Sequence, residues 1–335
     1  MIKNVTIKDI AREAGVSIAT ISYYLNGKKK LKEETKEKIS RVIDELGYNP
    51  NLAAKSLVTK KSKLIGFVLA KGSLEENPYY STLLAGMNSA IQEKSEYDLL
   101  IAGNFGEANF KTAVINWIKK RNLDAVVFMG LNDFDIIEAL SRLNIPISLI
   151  DQNNYSMDNL FTIKIDDELG GYLGTKHLLS KGYKNIAFVG EGLIGDVTKL
   201  RYQGYKKALQ EVGIEVKPDN LYEAKVTYEG GIEVGNRLME RNDIDAIFTI
   251  ADIMAFGIMR AYLIAGYYLP KDIAIIGFDN LKTSSYLTPT LTTIDQNIFL
   301  KGKKAVEVLL EVENLKNNMN KDILIPISLV KGETT

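Results

Sequence analysis

Apolar residues fall on two different periods along this chain. Near the start they recur every three or four positions, the spacing of one helix face; from Leu64 onward, short apolar runs alternate with amphipathic stretches, the pattern of buried strands joined by helices. The first regime opens with TIKDIAREAGVSIATISYYLN, residues 6–26. Thr6 and Asp9 predict a shortened capping box, after which Ile10 and Ala14 share a helix face. Gly15 permits the positive φ that ends this helix, Val16 turns inward, and Ser17 caps a second helix on which Ile21 and Leu25 face the same side. That leaves Ile18, Ala19, Ser22, Tyr23 and Asn26 outside. A third helix is predicted near Glu33 to Leu46, with Ile39, Val42, Ile43 and Leu46 on one face and a stop at Gly47 and Pro50. Two short helices meeting at a glycine turn, the second displaying small and hydrogen-bonding side chains, form a helix-turn-helix pattern; an ordinary helical hairpin is the plainer reading.

The second regime has strand-like runs at Leu64–Ala70, Asp98–Ala102, Ala125–Met129, Ile147–Ile150, Ile186–Val189, Ala246–Ile250 and Ile273–Ile276. Helical segments lie between them, including Thr82–Glu93, Phe110–Lys119, Glu168–Ser180, Arg201–Glu211, Gly231–Glu240 and Ala255–Ala265. Such alternation implies parallel sheets with right-handed crossovers, and two sets in tandem imply two doubly wound lobes. Ligands in this architecture bind beyond the carboxyl ends of the strands, so facing lobes would enclose a cleft there. Tyr79, Tyr80, Asp151, Arg201, Tyr228, Asp252 and Asp279 all fall near such ends. Carboxylates and an arginine offer paired hydrogen bonds, and tyrosine faces stack on flat rings. Singly, each has a plainer explanation; Asp252, for one, could cap a helix starting near Met254.

Charge sharpens this division. The whole chain is neutral, with 42 Lys and Arg against 42 Asp and Glu, yet residues 1–63 hold 14 basic against 7 acidic residues and the remainder 28 against 35. A basic head on an acidic body is the electrostatic footprint of a module that neutralises phosphates. Between them, NLAAKSLVTKKSK at residues 51–63 carries too little apolar surface to fold alone. It reads either as a solvated tether or as a helix that forms on DNA, with Leu57 as an apolar wedge for the minor groove.

Composition removes several chemistries. With no cysteine and one histidine, disulfides, thiolate sites, multi-histidine zinc sites and a Cys–His nucleophile are excluded. No signal-like or membrane-spanning apolar run is visible, so a cytoplasmic protein is expected. GEGLIG at 190–195 matches a dinucleotide fingerprint, but the next helical run starts around Arg201 and no strand ends in an acid about twenty residues on. His177 reads as structural, and Asp166-Asp167 as helix capping rather than acid–base catalysis. No cofactor and no enzymatic activity are expected.

The headpiece VTIKDIAREAGVS with TIS and LN, the linker NPN with AAKSL, then TKHLLSKGYKNIAFVG, LRYQGYKKAL, IADIMAFGIMRA and IAIIGFDN with SSYLTPTLTTIDQ resemble, in order, the lactose/galactose repressor family of bacterial transcription regulators. The resemblance implies a homodimer reading a near-palindromic double-stranded operator, with a small molecule between the lobes altering the linker helices. Carried over by position, Ile18, Ala19, Thr20 and Tyr23 fall where the family reads bases. Thr6, Ser17, Ser22, Asn26 and Tyr48 fall where it meets phosphate, and Ala54, Lys55 and Leu57 where its hinge enters the minor groove. Tyr80, Arg201, Tyr228 and Asp279 fall on effector-contact positions; Tyr79, Asp151 and Asp252 join them from the strand-end pattern. Two departures stand out. Tyr23 replaces a usual arginine, removing a bidentate guanine contact, and Ala251 replaces a frequent asparagine, removing a sugar-hydroxyl partner. The chain ends without leucine heptads, so a tetramer is not expected.

These readings give an all-α helix-turn-helix headpiece at 1–50, a hinge at 51–63 and a two-lobed, periplasmic-binding-protein-like α/β body at 64–335. Lobe 1 takes about 64–163 and 294–322, and lobe 2 about 164–293 and 323–335. The expected function is a DNA-binding repressor relieved by a small molecule, a sugar above all. The alternatives are a regulator activated by a purine or partner-protein co-repressor, and a cytosolic sugar- or nucleotide-processing enzyme.

Overall fold

The computed structural model describes residues 5–26, 31–48, 61–70, 77–94, 96–102, 105, 109–131, 133–152, 157–192, 196–312 and 321–335. Ala54, Lys55 and Leu57 lie outside them, as do the basic loop at 28–30 and the end of the GEGLIG loop at 193–195. The chain divides into two compact units, Met1–Ser62 and Lys63–Thr335.

In the first unit, α1 (Ile7–Glu13), α2 (Ile18–Asn26) and α3 (Glu33–Leu46) enclose one small core. The Asp9 carboxylate accepts from the Thr6 backbone N–H at 3.0 Å and from its hydroxyl at 2.7 Å, fixing the start of α1. Gly15 takes φ +61° at the turn, and Ser17 Oγ accepts the Thr20 N–H at 3.0 Å to start α2. Ile10, Ala14, Ile21 and Ile39 are wholly buried, each isoleucine contributing on the order of 2 kcal/mol by burial. Leu46 departs from the expected face: at the last turn of α3, beside left-handed Gly47, it is 37% exposed.

The second unit contains two six-stranded sheets. The first has the order β11-β5-β4-β3-β1-β2, from β1 (Leu64–Leu69), β2 (Asp98–Ile101), β3 (Ala125–Met129), β4 (Ile147–Ile150), β5 (Leu160–Lys164) and β11 (Asp322–Leu324). The second has the order β12-β10-β9-β8-β6-β7, from β6 (Ile186–Gly190), β7 (Leu221–Glu223), β8 (Ala246–Thr249), β9 (Ala274–Asp279), β10 (Thr292–Asp295) and β12 (Ser328–Val330). Every ladder is parallel except β10 with β12. Among the described residues eight helices cover the sheets: α4 (Pro78–Lys94), α5 (Phe110–Arg121), α6 (Phe134–Ser141), α7 (Asp167–Ser180), α8 (Asp196–Glu211), α9 (Tyr228–Leu238), α10 (Asp252–Ile264) and α11 (Ile298–Glu311).

The central strands are buried on both faces, which is why they read as unbroken apolar runs. β10 has no such signature because two of its three buried positions are threonines, beside Ile294. Thr292 and Thr293 are fully buried and satisfied, the first by Thr335 Oγ1 at 2.8 Å and the Gly332 N–H at 3.0 Å, the second by donating to Asp252 at 2.6 Å. β5, β7, β11 and β12 also go beyond the strands expected above. The chain passes between the lobes after β5, after β10 and after β11, so Ile294 and Asp295 belong to the second sheet and Leu324 to the first. These passages displace the expected lobe limits by one or two residues.

Candidate functional site

The outward face of α2 carries Ile18, 46% exposed, with Ala19, half-buried Ser22 and Tyr23, 41% exposed. Positions 18 and 22, and 19 and 23, are one turn apart and share a side of the helix. Thr20 is half-buried, and its hydroxyl lies 2.9 Å from that of Ser17, so those two side chains occupy one another. Thr6 is engaged by Asp9, and Tyr48 packs against the headpiece core. Asn26 ends α2.

The cleft site is assembled where both sheets end. Asp151 follows β4 with φ +57°, Asp279 closes β9 with φ +131°, and Gln296 follows β10. Left-handed backbone at two aspartates is a conformation that surrounding structure must impose, and it aims both carboxylates out of their strands. Tyr79 and Tyr80 lie in the first turn of α4, their rings edge to face at 5.6 Å. The Tyr79 hydroxyl donates to Asp151 at 3.2 Å. The Lys301 ammonium, fully buried in the first turn of α11, donates to Asp151 at 2.7 Å, to Tyr79 at 3.3 Å and to the Gln296 carbonyl. The Gln296 amide in turn donates to Asp279. One continuous polar chain therefore runs from lobe 1 (Tyr79, Asp151, Lys301) through a passage residue to lobe 2.

Arg201 stands in the second turn of α8, which begins at Asp196, five residues before the expected start. Its guanidinium donates to Asp167 at 2.8 Å and to the Ile250 carbonyl at 2.5 Å, and lies 3.5 Å from the Phe278 ring centroid. Asp166 does cap α7, accepting from the Leu169 N–H at 2.8 Å, but Asp167 is the buried partner of Arg201 rather than a second cap. Tyr228 is half-buried at the first position of α9, after the Thr227 cap.

Asp252 is not brought into this group. It is fully buried, accepting from the Leu281 N–H at 2.8 Å, Ser284 at 2.7 Å and Thr293 at 2.6 Å. Its carboxylate ties the 3₁₀ turn Lys282–Tyr286 to β10 and replaces the ligand contact expected from its position. Lys301 and Gln296, conversely, carried no signal in the sequence beyond a polar residue in an apolar helical face and one at a strand end.

Burial pushes the Asp279 carboxyl up to about 8, reinforced by the nearby Asp252 and opposed by Arg201. Burial likewise raises Asp167 against the pull of Arg201, and raises Tyr79, with Asp151 adding to it. The site thus pairs Asp151 with Lys301 and Asp167 with Arg201, while Asp279 is left without a cation of its own. A cavity of about 590 Å³ between the C-terminal half of α8 and β7, lined by Tyr202, Lys206 and Val216, contains none of these residues. α8 does open directly after the GEGLIG loop, contrary to expectation, but the strand beside β6 ends in Glu223, well past the fingerprint's spacing of about twenty residues.

Residues 6–51 match the model of the "bacterial regulatory proteins, lacI family", and residues 62–333 that of the "periplasmic binding proteins and sugar binding domain of LacI family". The chain belongs to the LacI family. It is 32% identical over 329 residues to the ribose operon repressor of Haemophilus influenzae, spanning 97% of each chain. The Lac repressor dimer bound to operator and the anti-inducer ONPF superposes with a TM-score of 0.86 at 29% identity, with 99% of both chains covered. A LacI-family regulator from Enterococcus faecium with bound ribose covers 81% of this chain and 98% of its own, at 26% identity and a TM-score of 0.72. Among the described residues no helix is long and apolar enough to cross a membrane.

Proposed function

We propose that this LacI-family protein is a cytoplasmic repressor, without enzymatic activity, that binds a near-palindromic DNA operator as a homodimer and senses a small polar molecule between its lobes. The observation that carries this reading is the joining of both lobes by one buried polar chain, Tyr79–Asp151–Lys301–Gln296–Asp279, at the carboxyl ends of two sheets. A ligand inserted among these groups must exchange hydrogen bonds with side chains of both lobes, so it changes their relation by differential binding. Asp279 and Arg201 offer an acceptor and a donor to hydroxyls, and the ring of Tyr228 a face to stack on, which favours a sugar. In the headpiece, Ile18, Ala19 and Tyr23 would face base edges and Ser22, Asn26 and Tyr48 the phosphates, with Ala54, Lys55 and Leu57 as the hinge.

A band-shift titration tests it. Operator binding should weaken steeply with salt, as counterion release requires, and pentoses, hexoses or purine bases added singly should show which class alters the affinity. Arg201→Ala should keep operator binding and lose that response; a response that survives would remove Arg201 from the site. A ligand that tightens binding would make the protein a co-repressed regulator instead.

A further inference from the structure

The α2 surface has an unusual chemistry for a groove-reading helix. No charged residue occurs in its sequence, IATISYYLN, and its exposed large side chains are Ile18 and Tyr23. Guanine presents two acceptors, N7 and O6, and is read by a forked or multiple donor. The first turn of α2 has no forked or multiple donor to give, only the Ser17 and Thr20 hydroxyls, one of which donates to the other. The Thr20 hydroxyl is 2.9 Å from Ser17 Oγ, and the Ser17 oxygen also accepts the Thr20 N–H at 3.0 Å. Ala19 and Ile18 offer only methyl and methylene groups. Tyr23, one turn after Ala19, adds an aromatic edge and a single hydroxyl.

An apolar surface of this kind has one partner in the major groove. The 5-methyl of thymine is the only hydrocarbon group a standard base pair displays there. Phosphate attraction, supplied by the basic head, fixes the module on DNA without selecting a base. We infer that α2 selects its half-site through thymine methyl groups packed against Ile18, Ala19 and Tyr23, and not through guanine. This inference rests on the operator-binding reading above and adds the class of base pair recognised.

The test uses the full-length protein and duplexes selected from a random pool. Each thymine of the selected half-site is replaced in turn by deoxyuridine, which removes the methyl and leaves pairing unchanged. At one or more thymines per half-site the affinity should fall about fourfold, the weight of one buried methyl group, and about sixteenfold when both half-sites are altered. Replacing guanines by 7-deazaguanine should change little. Ile18→Ala, at an exposed position that leaves the fold intact, should abolish part of the deoxyuridine effect, and Tyr23→Arg should move the selected base toward guanine. Indifference to deoxyuridine everywhere, with sensitivity to 7-deazaguanine, would overturn the inference while leaving operator binding standing. Failure to enrich any sequence would instead overturn the operator-binding reading and the inference with it.

Discussion

Lys301 is the residue on which the cleft's charge balance turns. All three of its ammonium protons are committed, to Asp151, Tyr79 and Gln296, in a setting without solvent. Removing Lys301 leaves the Asp151 carboxylate, 16% exposed, without its cation, at a cost of up to about 3–5 kcal/mol. Lys301→Met is therefore expected to lower stability by that order in urea melts, and Lys301→Met combined with Asp151→Asn to recover part of it. A single variant as stable as the parent would show that the pair contributes nothing. Asp279 makes a pH prediction of opposite character. Its carboxyl holds a proton more tightly folded than unfolded, so its contribution to stability is greatest at low pH. That contribution is lost as pH rises from about 4 toward about 8, the interval between the ordinary and the raised value. Asp279→Asn lacks this loss, so its melting temperature relative to the parent should rise between pH 5 and pH 8. Parallel melting curves across that range would refute the raised proton affinity.

At the scale of elements, the site depends on how closely helices approach. α7 and α8 touch backbone to backbone: a Cβ on Gly171 would fall 2.0 Å from the Arg201 carbonyl oxygen, and one on Gly204 1.9 Å from that of Glu168. Neither contact has a flexible side chain that could give way. Gly171→Ala should therefore push α8 outward, costing about 1–3 kcal/mol by overpacking, and carry Arg201 away from Asp167 and Ile250. Calorimetry should find ligand affinity reduced together with stability; a variant that melts lower but binds equally well would uncouple the helix contact from the site. The same scale explains what pattern reading missed. Apolar periodicity found the central strands and six of the described body helices but not α6 or α11. It started α8 at Arg201 because Asp196, Thr198 and Lys199 are polar, and passed over β10 because threonines fill two of its three buried places. At β10 the apolar pattern gives way to tertiary hydrogen bonding, which satisfies the buried threonines.

For the whole molecule, the proposed homodimer carries the prediction. Leu263, Ile264 and Tyr268, at the end of α10 and the turn after it, are 41%, 66% and 69% exposed. Three large apolar side chains within six positions form a patch that a monomer would leave in water. Ile264→Lys should shift sedimentation toward a monomer and weaken operator affinity at least tenfold, since one headpiece then grips alone. An unchanged sedimentation coefficient would place the dimer contact elsewhere. The patch lies far along the chain from the basic head, so the same variant should leave the salt dependence of nonspecific DNA binding intact.

Three things were settled by the order of residues alone. The capping pair Thr6–Asp9, the glycine turn at Gly15 and the Ser17 cap are interactions between neighbours in sequence, so the helix-turn-helix needs no distant partner to be legible. The split between basic head and acidic body is a count, and the strand–helix alternation is a period. Which side chains meet in the cleft was decided only by the fold. Lys301 and Asp151 are 150 positions apart, Arg201 and Asp167 are 34 apart, and Asp252 turns inward to hold Leu281, Ser284 and Thr293. No local rule carries such pairings, because they depend on where parallel strands end in space and on how far backbone at Asp151 and Asp279 is forced to positive φ.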